Sequence, residues 1–239
     1  MNTDRPGEPD LMARMEPVQL LAAYEAVSPV PVRAEFIEGR AYLPLAPPGD
    51  GHGDTVLALC FQLRSAAVPH VGTGNGFRFA APADGTTALI IPDLHVMRRK
   101  PTGADEAHFA AHPGWYPIDM LALVGEVTST NHETDTGPKL RTYAAAGVPV
   151  HGLIDRHSKT AHCHTDPVLP GDDPTEAYYA TDTKVDLGEP LPLPAPCPTL
   201  DTAPFIESRA GRRPAGRPRG PTPPRPGRCR RTGTRPGYR

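Results

Sequence analysis

The chain has 239 residues, of which 38% are hydrophobic and 22% charged, and a formal net charge of −2. That length supports one buried core with residues to spare for a tail. No run of about 18 apolar residues occurs, so no membrane span is expected. The opening MNTDRPGEPD lacks the basic-then-apolar pattern of a signal peptide, and the scattered Cys60, Cys163, Cys197 and Cys229 contain no CxxC pair. A disulfide framework or a cysteine-rich zinc site is therefore not expected, and a reducing cytoplasm fits.

The small net charge conceals an asymmetry. Eleven of the 25 basic residues are arginines within 209–239, where no acidic residue occurs. Residues 1–208 thus hold 14 basic against 27 acidic residues and carry a net charge near −13. Such a body does not attract nucleic acid by bulk electrostatics, so any action on DNA must rest on a local site.

Three regions are expected: a loose N-terminus over 1–15, a folded domain over 16–207, and an Arg/Pro/Gly-rich disordered tail over 208–239. Residues 17–27 (PVQLLAAYEAV) read as a short amphipathic helix closed by Ser28-Pro29. Residues 33–46 (RAEFIEGRAYLPLA) read as a hairpin turning at Glu38-Gly39. Val56, Leu59, Cys60 and Leu63 recur at helical spacing, which predicts a core-facing helix over 53–67. The alternating glycines of GTGNG (72–76) lack a complete phosphate-loop pattern and read as a tight turn before the strand FRFA. Residues 86–97 (TTALIIPDLHVM) read as a buried strand broken at Pro92-Asp93, followed by a long polar connection. A strand over 119–128 leads through a polar loop to a helix from Pro138 to Ala146, with Pro at its first position and Gly147 at its stop. A strand over 148–156, a hairpin strand through KTAHCHT and a strand near AYYATDTKVDL follow, and residues 190–205 are expected to run along the surface. The alternation predicts an α/β fold, a mixed central sheet flanked by helices.

Glu126 interrupts the apolar run Met120–Val124 near the end of a core strand, and Asp93 stands at a corresponding place. A buried carboxylate is costly unless paired, and a divalent cation is one good partner. Were the two strands neighbours, Asp93 and Glu126 would converge on one ion. Lys139, opening the following helix, would reach a bound phosphate or water, and Glu35 in the first hairpin would add a further acid. Carboxylates and one lysine around Mg²⁺ or Mn²⁺ form a working set for phosphodiester hydrolysis. The plainer readings stay open: Asp93 satisfying a turn after Pro92, and Glu126 paired with a basic side chain.

IPDLHV, LVGEVTS and DTGPKLRTYAAAGVPVHGLIDR, with AEFIEGRAYLPLAPPGDGHGDTVLALCFQL upstream, resemble the Uma-type putative restriction endonuclease family of the PD-(D/E)XK nuclease superfamily. The resemblance spans roughly residues 17–205. It implies a restriction-endonuclease-like core and a Mg²⁺-dependent endodeoxyribonuclease, with Asp93 and Glu126 as metal ligands, Lys139 as the catalytic lysine and Glu35 as the accessory acid. Asp135 and Tyr143 match positions that shape the site, and His52 falls at the pocket rim. In the wider superfamily a lysine stands two residues after the Glu. Here that position is Thr128, and Lys139 on the next helix takes its place. The loop after the Glu also departs from the family, with Thr130-Asn131 for Pro-Ser and Thr136 for an Arg. DNA is the implied substrate, and a homodimer is one assembly open to the chain.

Two rival readings belong to other classes. One is a catalytically silent nucleic-acid-binding or protein-interaction module on the same fold, which the acidic body favours. The other is a zinc-binding protein using His157, His162, Cys163 and His164. Their spacing matches no standard zinc pattern, so a hairpin strand with exposed histidines is the expectation. The arginine-rich tail is read as an extension past the fold's end, with an electrostatic grip on nucleic acid as the alternative.

Overall fold

The computed structural model describes residues 15–30, 32–43, 49–81, 85–129 and 132–206. The tail 208–239, the first fourteen residues and the departing loop positions Thr130 and Asn131 lie outside the described residues.

Helix α1 (Pro17–Val27) starts at Glu16, whose carboxylate accepts from the Val18 amide at 2.8 Å, satisfying one of the free N–H groups of the first turn. Strands β1 (Glu35–Ile37) and β2 (Arg40–Tyr42) form the expected hairpin. Its turn uses left-handed backbone at Glu38 (φ 49) and Gly39 (φ 75). Helix α2 (Asp50–Ser65) begins three residues earlier than its apolar spacing indicates. Strands β3 (Val71–Gly72) and β4 (Gly76–Ala81) flank the GTGNG turn, where Gly74 has φ +74.

The apolar run at 86–97 divides at Pro92-Asp93 into β5 (Gly85–Ile90) and β6 (Leu94–Met97), which belong to different sheets. Proline lacks an N–H to continue a ladder, and the chain uses the break to step from one sheet to the other. The polar stretch after β6 is more ordered than its composition indicates. It holds α3 (Gly103–Ala111) and β7 (Trp115–Pro117). A reciprocal capping box between Thr102 and Asp105 starts α3. Next come β8 (Leu121–Val127), α4 (His132–Thr136) and α5 (Pro138–Ala145), so the polar loop after the Glu126 strand is itself partly helical. The last strands are β9 (Val150–Asp155), β10 (Thr160–Val168) and β11 (Tyr178–Asp186).

The mixed α/β architecture is present, with its strands distributed over two sheets, ordered β2-β1-β5-β4-β7 and β11-β10-β9-β8-β6-β3. β8 lies inside the second sheet, antiparallel to β6 and parallel to β9. Alternation along β8 sends Leu123 and Val127 into a core with Val56, Leu59 and Leu63 of α2. Val124 points to the other face, into a core with Ile37, Phe77 and Ile90 of the first sheet and Tyr143 of α5. α1 covers the first sheet's other side through Leu21, packed with Leu89 and Trp115. Residues 190–205 do not simply run along the surface, because Leu191, Leu200 and Phe205 are buried in the α2 core. Among the described residues no helix is long and apolar enough to cross a membrane.

Candidate active site

Glu126 occupies the penultimate position of β8, on the same face as Val124. This points a carboxylate into an apolar layer, and its side chain is 0% exposed. The step between sheets brings the other predicted acids to the same place. The β6–β8 ladder runs from Leu94 opposite Gly125. Beyond it the Val127 amide donates to Asp93 Oδ2 at 2.8 Å, so the aspartate side chain replaces the missing backbone acceptor. His52, in the first turn of α2, lies 3.0 Å from the same oxygen through Nε2. At the start of β1, Glu35 Oε1 accepts from the Ile91 amide at 2.7 Å. The crossing segment 91–93 is therefore held from both sides.

Helix α5 supplies the cation. Lys139 donates to Glu126 Oε2 at 3.3 Å and to the Ile91 carbonyl at 3.4 Å. Its Nζ also lies 3.4 Å from Glu35 Oε1 and 3.6 Å from Asp135 Oδ1. One turn later Tyr143, fully buried, donates to Glu126 Oε1 at 2.6 Å, as the four-residue spacing from Lys139 requires. Arg141, on the same helix, makes a two-pronged ion pair with Glu38 at 2.7 and 2.9 Å. That contact fixes α5 against the turn of the first hairpin.

Of the four predicted residues, Glu35 and Glu126 lie directly against Lys139, together with Asp135, and Tyr143 bonds Glu126. Asp93, held by the Val127 amide and His52, is within electrostatic reach of Glu126 and Lys139. Thr128 does not belong to the cluster. Its hydroxyl donates to Asp155 at 3.3 Å and accepts from the Arg156 amide at 2.9 Å. The plainer readings of the two acids are also realised in part, since Asp93 does satisfy a backbone N–H and Glu126 does pair with a lysine.

One ammonium among four carboxylates leaves the cluster with excess negative charge. Burial pushes Glu126 well above the usual carboxylate range; Lys139 opposes this, while Asp93, Asp135 and Glu35 add to it. Asp135 rises to about 6, again through burial first. Burial alone would lower Lys139, but Glu126, Glu35, Asp135 and Asp93 outweigh it and hold the ammonium protonated, well above the ordinary lysine range. The Asp93 hydrogen bond raises His52 against the effect of its burial. Side-chain exposure grows from 0% at Glu126 through 7% at Asp135 and 15% at Glu35 to 23% at Asp93. The cluster therefore opens towards solvent on the Asp93 side.

Of the zinc reading weighed from the sequence, His162 and His164 do come together, without His157 or Cys163, and the partner that sequence reasoning missed is Asp182. His162, His164 and Asp182 lie together on the β10–β11 ladder, with ligand atoms within 4.8 Å of one another. The two histidines share a face as expected, but they are largely covered, with side chains only 14% and 10% exposed. The H-x-H spacing is a signal in the sequence; the cross-strand Asp182 leaves none.

The strand ends of this mixed α/β fold thus gather carboxylates around a buried lysine. The chain belongs to the Uma2 family, described as "Putative restriction endonuclease", whose model matches residues 19–196. It is also similar to a putative nuclease belonging to DUF820 from Anabaena variabilis ATCC 29413, solved by crystallography. The two share 15% identity at a TM-score of 0.51, over 77% of this chain and 96% of that one. At that identity the likeness establishes the fold. No curated protein matches the chain.

Proposed function

We propose that this chain is a Mg²⁺- or Mn²⁺-dependent endonuclease that hydrolyses DNA phosphodiester bonds. In this reading Asp93 and Glu126 hold the metal, Lys139 is the catalytic lysine and Glu35 is the accessory acid. The observation that carries it is the single ammonium placed among four carboxylates at one strand end. The donor set fits a hard cation: the acids offer only oxygen, and two carboxylates with water and substrate phosphate are a usual Mg²⁺ environment. Glu126 and Asp135 have raised proton affinity, through burial first and the neighbouring acids second, with Lys139 opposing. A bound ion supplies an activated water and a hold on the scissile phosphate.

The chain's own residues have separate tasks. Tyr143 and Lys139 each hold one oxygen of Glu126, and the Val127 amide and His52 hold Asp93, so both ligands are oriented before substrate arrives. Lys139 stays protonated and offsets charge developing on the phosphate. Glu35 anchors the Ile91 amide and the ammonium together. The free state of the described cysteines Cys60, Cys163 and Cys197 supports a cytoplasmic setting.

Incubation of supercoiled plasmid with the protein tests the reading. Nicked or linear DNA is expected in Mg²⁺ or Mn²⁺ and none in EDTA. Glu126→Gln abolishes cleavage, and Lys139→Ala lowers it about 10²–10³-fold, as removal of one electrostatic donor does. A wild-type protein inert on duplex, single-stranded and structured DNA supports instead a silent binding module. The net charge near −13 over residues 1–208 is the observation that favours this second reading.

A further inference from the structure

We propose that His162, His164 and Asp182 form a second metal site, for a divalent transition-metal ion of the zinc type. Successive residues of a strand alternate between faces, so His162 and His164 project from the same side of β10. Their rings are nearly parallel, with 6° between the planes and 5.4 Å between the centroids. In the β10–β11 ladder His164 is paired with Asp182, which puts the carboxylate on that face and between the two imidazoles. Asp182 Oδ1 and Oδ2 each lie 3.1 Å from His162 Nδ1, and Oδ1 lies 3.5 Å from His164 Nε2.

What marks the group as a ligand set is the far nitrogen of each ring. His162 Nε2 lies 3.0 Å from Thr160 Oγ1, and His164 Nδ1 lies 3.2 Å from Nδ1 of the fully buried His151. Metal-binding imidazoles characteristically hold their second nitrogen in a hydrogen bond, usually to a carboxylate, carbonyl or water, which fixes tautomer and ring orientation; here a hydroxyl and a ring nitrogen take that place. Here the inner nitrogens, Nδ1 of His162 and Nε2 of His164, are left facing the carboxylate. Two imidazoles and one carboxylate suit zinc and its neighbours, whereas the acids around Lys139 offer the oxygen-only environment of Mg²⁺. The two sites would thus sort metals by hardness. Asp182 is 44% exposed, so water can reach the face and complete a fourth ligand position. Tetrahedral zinc with bonds of about 2.0–2.2 Å needs its ligand atoms about 3.3–3.6 Å apart. The separations of up to 4.8 Å therefore close by small side-chain rotations. Lys184, paired with His162 in the ladder, is exposed and can keep its charge in water.

The inference does not depend on nuclease activity, although the two centres are near neighbours. The His151 ring packs against that of Tyr143 with centroids 5.5 Å apart, and Tyr143 donates to Glu126. The test must therefore separate them. The full chain is titrated with Co²⁺, followed by its visible ligand-field bands, and the bound Co²⁺ is then displaced with Zn²⁺ in the presence of excess Mg²⁺. Wild type is expected to give bands of low-symmetry nitrogen-and-oxygen coordination that Zn²⁺ abolishes and Mg²⁺ does not. Asp182→Asn, at an exposed position, and the double variant His162→Gln/Asp182→Asn are expected to weaken Co²⁺ binding at least tenfold. Glu126→Gln retains the bands. Equal binding by wild type and both Asp182 variants overturns the proposal. So does loss of the bands in Glu126→Gln alone, or a wild type that produces none.

Discussion

Replacing Asp135 with asparagine is expected to stabilise the protein while harming the site it belongs to. Asp135 is nearly isosteric with asparagine and its side chain is 7% exposed. Its carboxyl rises from an ordinary 3.8 to about 6, chiefly through burial, with Asp93 and Glu35 adding and Lys139 opposing. Each pKa unit is worth about 1.4 kcal/mol, so ionised Asp135 costs the folded state about 3 kcal/mol above pH 6. The sign follows from proton counting. Between 3.8 and about 6 the folded chain binds more protons than the unfolded one, so stability falls as pH rises through that window and is level above it. Asparagine removes this slope. Urea unfolding at pH 4 and at pH 8 should show Asp135→Asn close to wild type at the lower pH and up to about 3 kcal/mol more stable at the higher. Equal effects at both pH values, or destabilisation confined to pH 8, would refute the reasoning. The latter result would mean that the Lys139 ion pair outweighs the burial of the charge.

Tyr143→Phe removes the donor held 2.6 Å from Glu126 Oε1 and leaves a buried carboxylate oxygen short of a partner, so thermal unfolding should show a loss of about 1–3 kcal/mol. His95→Leu should have the opposite effect. His95 is fully buried in β6, both ring nitrogens lack a hydrogen-bond partner among the described residues, and burial lowers it to about 4. The unfolded chain takes up this proton as pH falls from 6.5 to about 4, so wild type loses stability over that window and the advantage of His95→Leu grows with acidity, as parallel melts at pH 4.5 and 7.5 would reveal. Arg141→Met should loosen α5 from the hairpin by breaking its paired contact with Glu38, lowering cleavage more than stability because that contact is partly exposed.

Much of the fold and most of the candidate site are legible in the sequence, because local signals coincide with tertiary ones there. Pro92 and Asp93 mark a real break, Pro138 and Gly147 bound a real helix, and the isolated Glu126 in an apolar run announces a buried charge. The four-residue step from Lys139 to Tyr143 is enough to put both on Glu126. What escapes depends on contacts between distant segments. Helix α3 is short, with alanines and a single large apolar residue, Phe109, so it shows little apolar periodicity, although the Thr102-x-x-Asp105 box is a readable start signal. Leu191 and Leu200 sit among prolines that suggest surface chain, yet they pair across an isolated bridge and close the α2 core. Asp182 is one of several exposed polar residues on β11, and only the ladder register shows that it faces His164. Asp135 is visible as a family-matched position, but its charge coupling to Lys139 depends on how α4 meets α5.

The central claim is that Asp93 and Glu126 share a divalent cation. Crystals soaked in Mn²⁺ and measured for anomalous scattering test it most directly. The account predicts one peak bonded to a carboxylate oxygen of each residue at about 2.0–2.3 Å, absent from Glu126→Gln crystals treated identically. A wild-type protein that cuts DNA in Mn²⁺ but shows no density between these two carboxylates, or shows its peak elsewhere, would contradict it.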